Sequence, residues 1–369
     1  MRGSIAIAAL LLLAACIDPV KFDTGSEAKR LVVDGFITNV SFTERQQYPA
    51  IPTRFYVALR WTSEVGNEKD EVIEGATVNL VSSEGESYSY YWDEDLQRYL
   101  IQDDDFAAKE GVEYWVKVTT PDGKSFESTP DRIYPAPPIE EVEVSHQTIF
   151  KSIQIGEQTQ IVQQRGVQLS VPLAAHNDGV TNRYRWKIVP TFIFETSLLP
   201  VENPNQACYV TDLYAYQSIK VWEDKQGGYS HDILFIETDD NERIQYDYSA
   251  YITQYSLSPT GYRYWDDLAV QQQSGGGIFD PPPFTLTTNI QSTLDDGEKV
   301  SGFFVVAHES TYRWYLSPDD LPYSLTFGDP CLPIPGVPFI PPAGCGNCMG
   351  YIGGSTHITN QQPLWWRNY

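Results

Sequence analysis

Basic residues are scarce in this 369-residue chain: 25 Lys and Arg face 49 Asp and Glu, a formal net charge of −24. That deficit argues against nucleic acid or an anionic membrane face as a partner, and against a surface patch for phosphates. Histidine is sparse as well. His146, His176, His231, His308 and His357 are the five, and none stands in the HExxH spacing of a zinc protease. A G-x-S-x-G nucleophile elbow, a P-loop and a Rossmann glycine fingerprint are all missing. The acidic pairs and triplets, such as Asp103-Asp104-Asp105, lack the EF-hand spacing and read as solvated loops, so no metal is expected. No carboxylate pair can be singled out for glycoside hydrolysis, because the required separation of roughly 5–10 Å is a tertiary property. Neither a catalytic residue nor a cofactor is therefore expected. No internal repeat exists, and no apolar run reaches the roughly 20 residues of a membrane-spanning helix.

The longest apolar run lies at the very start. Arg2 precedes an apolar stretch that ends in Leu10–Cys16, LLLLAAC, the arrangement of a secretory signal. Leu13-Ala14-Ala15-Cys16 resembles the lipobox of bacterial lipoproteins. The resemblance implies that residues 1–15 are removed and that Cys16 becomes a lipidated N-terminus. Acylation at two or three positions would make that anchor stable. Residues 16–29 are polar and aperiodic, as a tether would be.

Without Cys16, four cysteines remain: Cys208, Cys331, Cys345 and Cys348. An even number in an exported chain suggests two disulfides, with three pairings possible. Zinc is the alternative, since Cys345-Gly-Asn-Cys348 has ligand spacing, though a second CxxC is missing.

Aromatics make up 13% of the chain, and 26 Gly and 25 Pro supply turns. From Leu31 onward, seven short runs of strand character follow one another. They are LVVDGFITN, TRFYVALRWTS, GATVNLVSS, ESYSYYWD, QRYLIQ, EYWVKVTT and KSFEST. Turn signals at Asp34-Gly35, Gly66-Asn67, Glu84-Gly85, Gly111 and Asp122-Gly123 punctuate them. Tyr114, Val116 and Val118 alternate on one face. This rhythm predicts a β-sandwich over 30–133. The prolines of 134–138 make a stiff linker, and a second β-rich domain is expected over 139–327. There, QLSVPLAAH and RYRWKI read as strands joined by the Asn177-Asp178-Gly179 turn.

One helix is expected near 259–273. Ser258 caps it, Pro259 takes its first position and Gly275-Gly276-Gly277 ends it. Tyr262, Trp265, Leu268 and Ala269 would share its buried face, with Trp265 fully enclosed. Arg263, Asp267 and Gln271 would lie opposite, open to water or a partner. Gly275, Gly276 and Gly277, with Phe279 beyond them, form either a flexible contact loop or a plain helix stop. The tail, 328–369, is rich in Cys, Pro and Gly and is expected to dock on the second domain. Trp365 and Trp366 would bury in that contact, the alternative being an exposed carbohydrate or partner platform.

Taken in order, these segments resemble the domain-of-unknown-function family 4249 of Bacteroidota surface lipoproteins. The matching pieces are Cys16 with Asp18-Pro19, LVVDGFIT at 31–38, EGATVNLVSSEG at 74–85 and GVEYWVKVTTPDGKSFEST at 111–129. Further on come YRYWDDLAVQQQSGGGIFDPP at 262–282, Gly302-Phe303-Phe304, and a tail with Cys331, Cys345, Cys348, Gly353-Gly354 and Pro363-Leu364-Trp365. The first domain also looks like a carboxypeptidase-regulatory or transthyretin-type sandwich. The fold expected is thus mostly β: an N-terminal Ig-like or transthyretin-like sandwich, then a larger β-rich domain with one helix. The resemblance implies a non-enzymatic accessory of a TonB-dependent outer-membrane barrel, anchored by lipid and exposed at the cell surface. Only Asp18 lies close behind Cys16, so the periplasmic face stays open. The alternatives are a structural subunit of an envelope machine without a ligand, and a glycan-active enzyme.

Overall fold

A computed structural model describes residues 29–46, 52–62, 71–156, 158–177, 179–273, 285–294, 298–327, 331, 340–341, 343–352 and 356–367. Cys16, Gly275–Gly277 and Phe279 lie outside the described residues. Strand accounts for 48% and helix for 11%, so the fold is mostly β, as expected.

The first part of the chain holds β1 (Leu31–Thr38), a single helical turn α1 (Phe42–Arg45), β2 (Tyr56–Trp61), β3 (Glu71–Val72), β4 (Thr77–Ser82) and β5 (Ser87–Asp93). It continues with β6 (Arg98–Ile101), β7 (Glu113–Thr119), β8 (Ser125–Ser128) and β9 (Asp131–Arg132). All seven expected strand runs are present. The turn glycines Gly85, Gly111 and Gly123 take φ between 79° and 85°, the left-handed region that glycine enters without strain. Strand β5 pairs with β4 through its first half and with β6 through its second. The sheet thereby folds over on itself. Val78, Leu80, Tyr114, Val116, Val118 and Phe126 of one layer meet Leu31, Val33, Val57 and Leu59 of the other.

Asp34-Gly35 is not a turn. Both residues are inside β1, where Asp34 faces Ala58 and Gly35 faces Val57. An Asp-Gly pair is a strong local turn signal, but this glycine answers to a neighbouring strand. A Cβ at Gly35 would come within 2.8 Å of the Tyr56 carbonyl oxygen.

The second part holds β10 (Glu143–Ile155), β11 (Gln158–Leu173), β12 (Asn182–Glu195), β13 (Ala207–Asp212), β14 (Lys220–Asp224), β15 (Tyr229–Glu237) and β16 (Tyr248–Ser256). Helix α2 (Pro259–Gln273), β17 (Ile290–Ser292), β18 (Val300–Leu316), the short α3 (Ala343–Gly346) and β19 (Thr356–Thr359) complete it. Strands β10, β11 and β15 form a separate three-stranded sheet. Strands β11 and β12 are therefore not a hairpin; they follow each other in sequence but belong to different sheets. Their apolar faces meet instead, Val167, Leu169 and Val171 lying in one core with Trp186 and Ile188.

Strand β18 ties the two parts together. Its first half runs parallel to β1 and its second half antiparallel to β16. One 16-stranded sheet results, with β2-β1-β18-β16-β12-β13 at its centre. Phe304 and Val306 of β18, and Ile290 of β17, complete the first core although they come from the far end of the chain. The prolines of 134–138 thus mark a change of core but not a boundary of the large sheet, whose strands come from both sides of them.

The tail is stitched on by two disulfides, Cys208–Cys348 and Cys331–Cys345, with Cα separations of 5.5 and 5.2 Å. Cys345 and Cys348 thus go to different partners. Strand β19 pairs with β13. Trp366 is buried, its ring 5.0 Å from Tyr209.

Candidate functional site

Period-2 alternation sends every second residue of the central strands to the face away from the two sandwich cores. That face carries Asp34, Phe36 and Thr38 from β1, and Val305, Ala307 and Glu309 from β18. Tyr251, Thr253 and Tyr255 of β16 continue it, as do Arg185, Lys187, Val189 and Thr191 of β12. Register aligns them: Phe36 faces Val305, Tyr255 faces Glu309, and Arg185 faces Tyr255. Trp265 from α2, Arg98 from β6, Arg45 after β1 and Tyr214 after β13 raise walls around this floor. They enclose a cleft of about 320 Å³, the lower end of the range for small-molecule sites.

Charge in the cleft runs against that of the chain. Four cations, Arg45, Arg98, Arg185 and Lys187, face two carboxylates, Asp34 and Glu309. Arg45 and Glu309 cancel each other. They form a buried ion pair, with Thr38 Oγ1 donating to Glu309 at 2.8 Å and accepting from Arg45 at 2.6 Å.

The other three cations have no carboxylate bonded to them among the described residues. Arg98 donates to the Leu96 carbonyl at 3.3 Å and lies over the Tyr56 ring at 4.4 Å. Arg185 stacks on Trp265, its guanidinium carbon 3.6 Å from the ring centre, with Tyr255 at 5.5 Å. Desolvation lowers the Arg185 pKa, and the nearby Tyr255, Tyr56 and Asp34 offset this in part. Lys187 is open through the cleft mouth, yet the surrounding protein lowers its pKa, and like-charged Arg185 lowers it further. Asp34 is pushed up by burial, against the pull of Arg60, of the Tyr56 hydroxyl at 3.4 Å, and of Arg98 and Arg185. Burial outweighs the cations there, so the Asp34 pKa lies above the ordinary carboxylate value.

Helix α2 begins and ends where expected. Ser258 Oγ accepts from the Gly261 amide at 3.1 Å and donates to Asp131 at 2.6 Å. Its inner face is turned about one position from the expected one. Gly261, Tyr264 and Ala269 are the buried residues, and Tyr264 stacks on Phe303 at 5.0 Å. The series 261, 264, 265, 268 is the better helical stripe, and glycine at its head disguises it. Trp265 is only half-buried. Its indole Nε1 is enclosed and finds no hydrogen-bond partner among the described residues. Of the residues expected opposite, Arg263 is exposed and Gln271 half-buried. Asp267 is held by Thr287, whose amide and hydroxyl donate to it at 2.9 and 2.6 Å. None of these three lines the cleft.

The sequence reading missed Asp34, Arg98, Arg185 and Lys187. One signal was present. In Arg183-Tyr-Arg-Trp-Lys187, cations alternate with aromatics on a strand of an otherwise acidic chain. The apolar face identifies the core, and the cations lie on the opposite face.

Fold and site define a two-core β-protein whose shared sheet presents a cationic, aromatic-walled cleft. The chain belongs to the family described as Domain of unknown function (DUF4249), whose model matches residues 17–313. That match spans both cores and every strand of the cleft floor. No curated protein and no solved structure matches the chain.

Proposed function

We propose that this protein is a lipid-anchored accessory subunit of a TonB-dependent outer-membrane transporter, standing at the cell surface and capturing substrate for the barrel. The cleft carries the capture role. A purely structural envelope subunit has no use for three cations with no carboxylate bonded to them among the described residues, beside half-buried aromatics, since gathering like charges is unfavourable unless a ligand offsets it. The lipobox at Leu13–Cys16 supports the anchor. A glycan-active enzyme is less well supported, because among the described residues the cleft holds two carboxylates, and Glu309 is committed to Arg45.

The test is a pull-down of the native protein in gentle detergent, read by mass spectrometry. A barrel recovered in stoichiometric amount is the expected result; recovery of soluble envelope components alone sinks the transporter reading. Cys16→Ser should release the protein from membranes that have been washed in high salt. Protease added to intact cells should digest it, whereas protection until lysis would put it on the periplasmic face.

A further inference from the structure

We infer that the cleft binds a small organic anion, a carboxylate or phosphate joined to a flat or apolar body. The inference rests on the capture reading for its biological role, but its chemistry comes from the cleft alone. Arg185 and Lys187 stand two residues apart on one face of β12, about 7 Å along the strand. Nothing in the described protein bonds to either head group. A pair of like charges with no carboxylate bonded to either among the described residues, in a chain of net charge −24, calls for an anion from outside.

The geometry also says how the anion is met. The Arg185 guanidinium carbon lies over the Trp265 ring, 3.6 Å from its centre, and a guanidinium held on an aromatic face presents its N–H donors in the fixed fork that suits a carboxylate or phosphate. Lys187 adds a flexible point charge beside it. The aromatics around them, Tyr56, Tyr251, Tyr255 and Trp265, suit a ring or an apolar stem. Trp265 Nε1, enclosed and without a partner among the described residues, is a donor held near the same wall. Asp34 lies among the arginines, within reach of Arg60, Arg98 and Arg185, and burial raises its pKa.

The acidic exterior does not defeat this. At physiological ionic strength its repulsion is screened beyond about 8 Å, while the cations act at contact distance. The enclosed volume of about 320 Å³ fits one small molecule and not a folded partner.

Isothermal titration of the detergent-purified full chain tests the inference, with phenyl phosphate and benzoate as probes and benzyl alcohol as the uncharged control. Saturable one-to-one binding is expected for at least one anion, with benzyl alcohol at least about tenfold weaker. The stronger of the two anions identifies the head group. Arg185→Met and Lys187→Met should each weaken that binding by about tenfold or more. Arg185→Met should melt no lower than wild type without ligand, because it removes a desolvated charge with no carboxylate bonded to it among the described residues. Should that variant fail to fold, Lys187→Met, at a position open to solvent, still decides. Three results would overturn the inference: neither anion binding, benzyl alcohol binding as well as the anions, or both variants binding like wild type. Failure of the pull-down sinks only the transporter reading, and failure of the titration sinks only the anion site.

Discussion

Arg45 is an arginine treated as a core residue. Only 6% of it is exposed, and its guanidinium lies 4.5 Å from the centre of the Phe55 ring and 5.3 Å from that of Phe36. One end donates to the Thr53 carbonyl at 3.0 Å and the other meets Thr38 and Glu309. Both terminal nitrogens of the buried guanidinium are thus engaged, as tolerating a buried charge requires. The pair also joins the two parts of the chain, since Arg45 follows β1 and Glu309 sits in β18. Glu309→Gln would leave Arg45 uncompensated, and urea unfolding should show a loss of about 3–5 kcal/mol. Replacing both, as Arg45→Met with Glu309→Leu, should restore most of that loss. A single variant within about 1 kcal/mol of wild type would mean that the arginine is satisfied without its carboxylate. The residue-scale contrast is with Arg185, a few strands away on the same face. Arg185 has an aromatic surface but no carboxylate bonded to it among the described residues, and that difference separates it from the structural Arg45.

At the scale of the element, β18 is the beam on which both cores rest. Gly302 lets it pass close to β1. Its φ is +93°, and a Cβ there would lie 2.0 Å from the Val33 carbonyl oxygen. Gly302→Ala should therefore cost more than about 1 kcal/mol and blunt the cooperativity of melting; an alanine variant with an unchanged melting curve would show that β1 and β18 can move apart without loss. His308, where β18 passes from one core to the other, is half-buried, and desolvation holds its pKa below the ordinary histidine value. The unfolded chain then takes up a proton more readily than the folded one. Stability from this site is complete above about pH 6.5 and declines as pH falls toward the lowered folded value. Unfolding at pH 7.5 and pH 5.5 should show that decline, and His308→Gln should flatten it; an NMR titration giving His308 an ordinary pKa would contradict the account. The strands themselves were legible, because alternation and turn chemistry are local: all seven runs before Ser128, and helix α2 with its cap, are where the sequence puts them. The pairing of β18 with β1 was not, since a parallel partner far along the chain leaves no mark in either strand's own pattern. The cleft was hidden for the same reason. Asp34, Arg185 and Glu309 each look like ordinary outward residues until register brings β1, β18, β16 and β12 side by side, and Asp34 was further masked by the turn signal of Asp34-Gly35.

At the scale of the whole molecule, the linker of 134–138 invites a cut that the sheet does not allow. A fragment covering 17–138 would keep β1 through β9 but lose β17 and β18. Its core would lack Ile290, Phe304 and Val306, all buried in the intact protein. At about 1.5–3 kcal/mol for each buried apolar side chain, the three together are worth about 5–9 kcal/mol, most of the stability of a typical domain. Strand β1 would also become an open edge, with unpaired backbone groups where β18 had been, which favours aggregation. The fragment alone is therefore expected to give a poorly dispersed amide NMR spectrum. Joining residues 285–308 to it through a flexible linker should restore dispersion, because that segment supplies both the missing side chains and the missing strand. A well-dispersed spectrum from 17–138 alone, melting within a few degrees of the full chain, would show that β18 only docks on a finished sandwich. The expected outcome has a consequence for the cleft. Its floor is built from β1 and β18 of the first core and from β16 and β12 of the second, so neither core possesses it alone. A ligand held between Arg98 on one side and Arg185 on the other should stabilise both cores together, raising a single melting transition and not splitting it in two.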